Sequence, residues 1–156
     1  MFFTLDFWIQ MLSAVVGTIG FAFLFRVRLC HFPYVALGAL LTYFVYYTLE
    51  QLGWNLLLLT FLAACVGALY SEILARIRRA PAIVYLLSSM IPIIPGGSLY
   101  RAMNGLINKN YDSLFTNLGG TLNVSLGMAG GIVAVSVLMA IYVGLMEAIK
   151  NKRKAN

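Results

Sequence analysis

Long apolar segments separated by short polar clusters dominate the sequence. They run over about residues 7–25, 32–49, 53–72, 80–104 and 125–147. About 20 residues of helix cross the hydrocarbon core of a bilayer, so the pattern predicts five transmembrane helices. The fifth predicted span leaves out residues 113–123 (SLFTNLGGTLN), because this segment is polar and rich in glycine.

The fourth apolar segment differs from the others because helix-breaking residues interrupt it. A helix starting near Ala80 rises roughly 18 Å by Pro92, at 1.5 Å per residue, and so passes the bilayer midplane. Proline removes backbone donors, and glycine permits non-helical dihedral angles. We therefore predict a break in the fourth span at Pro92–Gly97. Unwound backbone at this depth is tolerated only where protein buries it or water reaches it.

The residues after the break predict a binding site for an anion. Ser98 is a suitable N-cap for a second helical segment, whose free N–H groups would point at the break. Arg101 adds a positive charge one turn later, and Tyr100 adds a hydroxyl; this combination suits a carboxylate. The candidate substrate-binding residues are Pro92, Pro95, Gly96, Gly97, Ser98, Tyr100 and Arg101.

Two alternative interpretations of this segment remain open at the level of sequence. Proline kinks in membrane helices often serve only packing. The Arg101 side chain is long enough to extend to the outer interface without touching a substrate. Ionisable residues at membrane depth nevertheless mark a transport pathway more often than not.

Composition supports the membrane assignment. Hydrophobic residues make up 62% of the chain and charged residues 10%, and the mean hydropathy is +0.89. A soluble domain has roughly a quarter of its residues charged. The prediction is therefore an all-α integral membrane protein with one transmembrane domain covering residues 1–156.

The net charge of +6 is distributed in a way that predicts orientation. Nine of the eleven lysines and arginines follow the first, third and fifth spans, and the other two are Arg101 and Lys109. Basic residues accumulate in cytoplasmic loops, which places the N-terminus outside and the C-terminus in the cytoplasm. The nine residues are Arg26, Arg28, Arg76, Arg78, Arg79, Lys150, Lys152, Arg153 and Lys154.

The sequence offers little that is typical of catalysis, metal binding or nucleic-acid binding. It contains one histidine and two cysteines, and we find no Walker-type or HExxH motif. We predict that the chain is not an enzyme, holds no metal or cofactor and binds no nucleic acid. Gly127 and Gly131 form a GxxxG pair in the fifth span, which is typical of helix packing.

The segment PIIPGGSLYR, Pro92–Arg101, resembles the P-x-x-P-G-x-S-x-Y stretch of the threonine/serine exporter family. Gly97 and Arg101 occupy positions where the family varies. The five-span layout and basic C-terminus are similar to the family's small, stand-alone C-terminal half, as in the small subunit of a two-component succinate exporter. The motif residues present are Pro92, Pro95, Gly96, Ser98 and Tyr100.

This resemblance implies a subunit of a secondary transporter in the cell (inner, or cytoplasmic) membrane of a prokaryote. The expected partners are the lipid bilayer and a larger subunit with a cytoplasmic domain and its own membrane spans. The expected substrate is a small carboxylate-bearing solute, either a threonine/serine-type amino acid or a dicarboxylate such as succinate. One alternative is a structural or assembly subunit whose partner holds the substrate site. Another is an ion-conducting oligomer of this chain alone.

Overall fold

The structure, a computed structural model, describes residues 5–155, with the side chains of Glu147 and residues 151–155 left out of the description. Within this part of the chain all regular structure is helical, as predicted. Met1–Thr4 and Asn156, together with the predicted cytoplasmic side chains Lys152, Arg153 and Lys154, lie outside the described residues. The helices are α1 (Leu5–Leu24), α2 (Phe32–Gln51), α3 (Leu56–Arg78), α4 (Ala82–Met90), α5 (Gly96–Ile107) and α6 (Tyr111–Ala155).

Four of these helices, α1, α2, α3 and α6, are long and apolar enough to cross a membrane. The pair α4 and α5 makes a fifth span if the two are counted as one bent crossing. The chain is therefore a multi-pass membrane protein with four or five candidate spans.

The break in the fourth span lies between α4 and α5, whose axes differ by 56°. A short 3-10 helix at Ile91–Ile93 continues α4. Ile94 is extended and Pro95 then leads into α5. Two backbone amides in the break form local hydrogen bonds. The Ile94 amide donates to the Ile91 carbonyl at 3.3 Å, and the Gly96 amide donates to the Ile94 carbonyl at 2.8 Å.

Two predictions about this segment are wrong. Gly96 and Gly97 do not belong to the unwound part, because they form the first turn of α5. Ser98 is not the N-cap of that helix, since Pro95 occupies the N-cap position. The physical reason is that proline suits a helix entry, and the two glycines after it accept helical dihedral angles as readily as non-helical ones.

α6 is much longer than a single crossing requires. Its 45 residues correspond to about 68 Å at 1.5 Å per residue, against a hydrocarbon core of about 30 Å. The polar segment 113–123, which we left out of the fifth span, is helical and belongs to the beginning of α6. Helical structure therefore begins well before the predicted crossing segment at 125–147.

α3 is the central helix, and its largest contact is with α6. Its inner face carries small side chains, including the fully buried Ala63 and Ala64. The GxxxG pair of α6 lies directly against the α3 backbone: a Cβ on Gly127 would fall 2.6 Å from the Leu57 carbonyl oxygen, and one on Gly131 2.6 Å from the Phe61 carbonyl oxygen. The two helices therefore approach too closely for any side chain at these glycines.

The close contact predicts opposite effects of alanine at two glycines of α6. Gly131→Ala should destabilise the protein by about 1–3 kcal/mol, because the added methyl group overpacks the α3 contact. Gly119→Ala is the matched control, since nothing lies within 4 Å of a Cβ there, and it should stabilise the helix by roughly 0.5–1 kcal/mol. Unfolding of the purified variants in detergent, followed by circular dichroism, measures both. Equal midpoints for the two variants would contradict the predicted packing.

Candidate functional site

The break opens onto a cavity of about 440 Å³, which we call the break cavity. It lies where the beginnings of α1, α3 and α6 meet the end of α2 and the first turns of α5. This volume is within the range of small-molecule sites in proteins. The cavity is lined by Gln10, Tyr43, Tyr46, Glu50, Leu56, Pro92, Ile93, Ile94, Pro95, Gly97, Ser98, Arg101, Gly120 and Val124.

The first turn of α5 provides hydrogen-bond donors at the cavity wall. The amide of Leu99 donates to the Pro95 carbonyl at 3.1 Å. The amides of Gly97 and Ser98, which come before the first such bond, have no backbone acceptor among the described residues. They are the unpaired N–H groups found at every helix start, where the helix dipole is positive.

Arg101 lies next to these amides. A Cβ built on Gly97 would lie 3.7 Å from a guanidinium nitrogen of Arg101, so the side chain folds back over the first turn of α5. The guanidinium and the free amides are therefore neighbours on the same helix. Together they form the positively charged part of the break cavity.

The hydroxyl of Ser98 connects α5 to α6. It donates to the Pro95 carbonyl at 3.0 Å and accepts from the Thr121 hydroxyl, also at 3.0 Å. The Thr121 hydroxyl is also 2.9 Å from the Asn117 carbonyl of its own helix. These bonds fix the start of α5 against α6 at the edge of the cavity.

α1 and α2 form the opposite wall of the cavity. The Tyr43 hydroxyl donates to Gln10 Oε1 at 2.9 Å, which joins the two helices. Both residues also line a neighbouring space of about 330 Å³ that includes Ser13, Gly17 and Pro92. The two cavities therefore share Gln10, Tyr43 and Pro92.

The structure brings together most, but not all, of the predicted substrate-binding residues. Gly96 and Tyr100 are not among the residues that line the cavity, and Tyr100 is 71% exposed. Successive residues of a helix point about 100° apart, so Tyr100 and Arg101 face different surroundings. The predicted residues that do line it are Pro92, Pro95, Gly97, Ser98 and Arg101.

The wall formed by α1 and α2 was not predicted from the sequence. Glu50 is the most important omission, because it is the acidic residue that lines the cavity together with Arg101. No salt bridge joins the two in the described part of the chain, so their charged groups are more than 4.0 Å apart. One feature of the sequence could have pointed to it: Glu50 is the charged residue at the end of the second apolar segment.

The arrangement suits a small molecule that carries both signs of charge. The guanidinium of Arg101 and the free amides of α5 provide donors for an anion. Glu50 provides a carboxylate for a cation, and the Tyr43 and Tyr46 hydroxyls and Gln10 amide supply neutral polar groups. Within the described residues no group of three or more histidine, cysteine, aspartate or glutamate side chains is placed to hold a metal ion.

Comparison with known protein families identifies a match. Residues 10–138 match the family described as "Threonine/Serine exporter, ThrE". The matched region begins in α1 and ends within α6, so it includes the break and every residue that lines the break cavity. No curated protein and no solved structure matches the chain.

Proposed function

The chain belongs to the threonine/serine exporter family, and we propose that its break cavity binds the exported amino acid as a zwitterion. Membership implies a membrane exporter of the threonine/serine type, and an exporter is not expected to be an enzyme. The observation that carries the proposal is the presence of Arg101 and Glu50 on the wall of one cavity without a salt bridge between them.

Each charged end of an amino acid has a partner in this proposal. The α-carboxylate accepts from the Arg101 guanidinium and from the free amides of Gly97 and Ser98. The α-ammonium lies at Glu50, on the wall formed by α1 and α2. The hydroxyl of a threonine or serine side chain then has Tyr43 and Gln10 as neighbouring polar groups.

The same geometry disfavours a dicarboxylate such as succinate. Its second carboxylate would lie near Glu50, and like charges at close range repel. A site rejects a competitor through such unfavourable contacts as well as through attraction for its own substrate. We therefore place amino acids ahead of dicarboxylates among the two substrate classes that the sequence left open.

The zwitterion proposal predicts the effects of two substitutions. Arg101→Gln and Glu50→Gln should each weaken the apparent affinity for threonine about ten- to a hundredfold, because a charge-assisted hydrogen bond contributes roughly 1.5–3 kcal/mol. Tyr100→Phe is the control, since Tyr100 does not line the cavity. Concentration-dependent export from cells with matched protein levels gives the apparent affinity.

Further outcomes of this experiment separate the alternatives. Unchanged export by Arg101→Gln and Glu50→Gln alike would assign the site to another subunit and leave this chain a structural role. Strong succinate export by the parent, unaffected by Glu50→Gln, would contradict the choice of amino acids over dicarboxylates.

We also propose that the chain works with a second, larger membrane subunit, the partner that the family resemblance implies. A supporting observation is an open face on α1. Nothing in the described structure lies within 4 Å of a Cβ at Gly17 or Gly20, and the neighbouring Val16 and Phe21 are 69% and 45% exposed. Small residues at a helix surface allow another membrane helix to approach closely.

The partnership predicts that export requires both subunits and that they purify together. Gly17→Leu with Gly20→Leu should reduce co-purification at least tenfold, because bulky side chains on the open face prevent close approach. The folding of this chain alone should be unchanged, as monitored by its detergent unfolding midpoint, since those positions are empty here. Export by this chain alone in liposomes would contradict the proposal.

The proposed orientation places the break cavity toward the outside of a prokaryotic cytoplasmic membrane. The support is the clustering of arginines at the end of the helix bundle opposite the break cavity, where α1 and α3 end. Basic residues concentrate on the cytoplasmic side. The N-terminus is then outside, and the long basic end of α6 is in the cytoplasm.

Orientation is tested with single cysteines in a Cys30→Ser, Cys65→Ser background. Gln51→Cys, at the end of α2, should react with a membrane-impermeant maleimide in intact spheroplasts. Arg28→Cys, in the connection between α1 and α2, should react only after permeabilisation. Both positions are exposed in the structure, so accessibility alone does not distinguish them. The reverse labelling pattern would show the opposite orientation.

A further inference from the structure

A second cavity, of about 400 Å³, lies at the other end of the helix bundle from the break cavity. It is formed by the connection between α1 and α2 and the connection between α3 and α4. We call it the arginine pocket, because its charged or titratable lining residues are Arg26, Arg28, His31, Arg78 and Arg79.

Positive charge in the arginine pocket is not compensated by the described residues. Its lining contains no aspartate or glutamate. The side chains of Arg26, Arg28 and Arg79 have no hydrogen bond or ion pair within the described part of the chain. Arg76, one turn before the pocket, differs because it forms a salt bridge of 3.7 Å with Glu72 and does not line the cavity.

Two of the arginines occupy backbone positions that favour glycine. Arg26 has φ +53° and Arg79 has φ +51°, both in the left-handed region. Each follows shortly after the end of a helix, where glycine would adopt this conformation without steric cost. A basic residue at a neighbouring position with ordinary dihedral angles would contribute equally to membrane orientation. Lys109, outside the pocket, also has a positive φ of +56°, so the strain alone does not mark the pocket. It means instead that glycine is a conformationally mild replacement for Arg26 and Arg79.

Aromatic residues hold two further members of the pocket in place. The Arg78 guanidinium lies 4.1 Å from the centre of the Tyr34 ring and also donates to the Tyr34 hydroxyl. His31 Nδ1 is 2.7 Å from the hydroxyl of Tyr85, a residue that is only 1% exposed. Contacts with Tyr34 and Tyr85 therefore fix the positions of Arg78 and His31 in the pocket.

The rim of the arginine pocket is apolar on the side of the helices. Phe25, which lines the pocket, is 53% exposed, and the neighbouring Leu24 and Ile83 are 73% and 53% exposed. Exposed apolar side chains beside a cluster of arginines at the end of membrane-spanning helices are suitably placed to contact acyl chains close to the headgroup level. The pocket thus combines a site for a negatively charged group with a surface for hydrocarbon chains.

We propose that the arginine pocket binds the phosphate group of an anionic membrane lipid. Guanidinium groups are well suited to phosphate because they donate in pairs. Basic pockets between membrane helices bind lipid headgroups by the same attraction. The apolar rim favours a lipid over free phosphate, since its acyl chains would cover Phe25 and Ile83 while the headgroup enters the cavity.

The test uses the full-length chain purified in a neutral detergent at constant ionic strength. Short-chain phosphatidylglycerol, short-chain phosphatidylcholine and inorganic phosphate are titrated separately, and the thermal unfolding midpoint is measured. We expect a saturable increase with phosphatidylglycerol, and no increase with either phosphatidylcholine or inorganic phosphate at the same concentrations. An equal increase with inorganic phosphate would overturn the assignment of a lipid ligand.

Variants separate the pocket from the general attraction of a basic surface. The double substitution Arg26→Gly, Arg79→Gly should weaken the apparent affinity for phosphatidylglycerol roughly twenty-five-fold, at about fivefold for each basic residue lost. Its midpoint without lipid should be unchanged or higher, because glycine adopts positive φ without strain. This result excludes loss of folding as the cause.

Arg76→Gln is the matched control, since it removes a positive charge from α3 outside the pocket and should keep the full response to lipid. Arg28→Gln removes one pocket charge at a residue with an ordinary φ of −62°, and it should weaken affinity about fivefold. If Arg76→Gln lowered the affinity as much as Arg28→Gln, the attraction would be a property of the whole basic surface, and the proposal would be wrong.

Discussion

The fold depends on one constraint, which is that backbone groups inside a bilayer cannot be hydrogen-bonded by water. Regular helices satisfy it throughout most of this chain. Buried hydroxyl groups follow the same rule by bonding to carbonyls one turn back: Ser71 to Gly67 at 2.7 Å, Ser88 to Val84 at 2.8 Å and Thr60 to Leu56 at 2.8 Å. The described exceptions are the hydroxyls of Thr18 and Thr42, which are buried without a partner.

The break satisfies the constraint differently, and this difference creates the candidate site. Pro92 and Pro95 have no N–H, so they leave no donors to satisfy where the helix is interrupted. The amides of Ile94 and Gly96 bond to carbonyls within the break itself. The amides left over belong to Gly97 and Ser98, two residues that line the break cavity. The unpaired donors therefore lie at the cavity that we propose as the binding site.

Sequence patterns predicted the features that depend on local chemistry. Apolar segments indicated the spans, and the prolines indicated the break, because both effects act within a few residues. The predicted extent of the break was wrong. Glycine accepts helical and non-helical dihedral angles alike, so the packing of α5 on α6 decides which of them Gly96 and Gly97 adopt. Tyr100 belongs to the sequence motif but does not line the break cavity. Glu50 was missed because its proximity to Arg101 results from tertiary packing between helices far apart in sequence.

The two walls of the break cavity belong to different groups of packed helices. α4 packs on α2 and α3, whereas α5 packs on α6, where a Cβ on Gly105 would lie 2.9 Å from the Leu114 amide nitrogen. Arg101 is therefore held by the α5–α6 pair, and Glu50 by the group that includes α2 and α3. The main contact between the two groups is that of α3 with α6, where Gly127 and Gly131 allow the helix backbones to approach closely. That contact sets the distance between the two groups of helices. Glycines outside the cavity therefore control the separation of Arg101 and Glu50, the two charged residues that the proposed zwitterion would bridge.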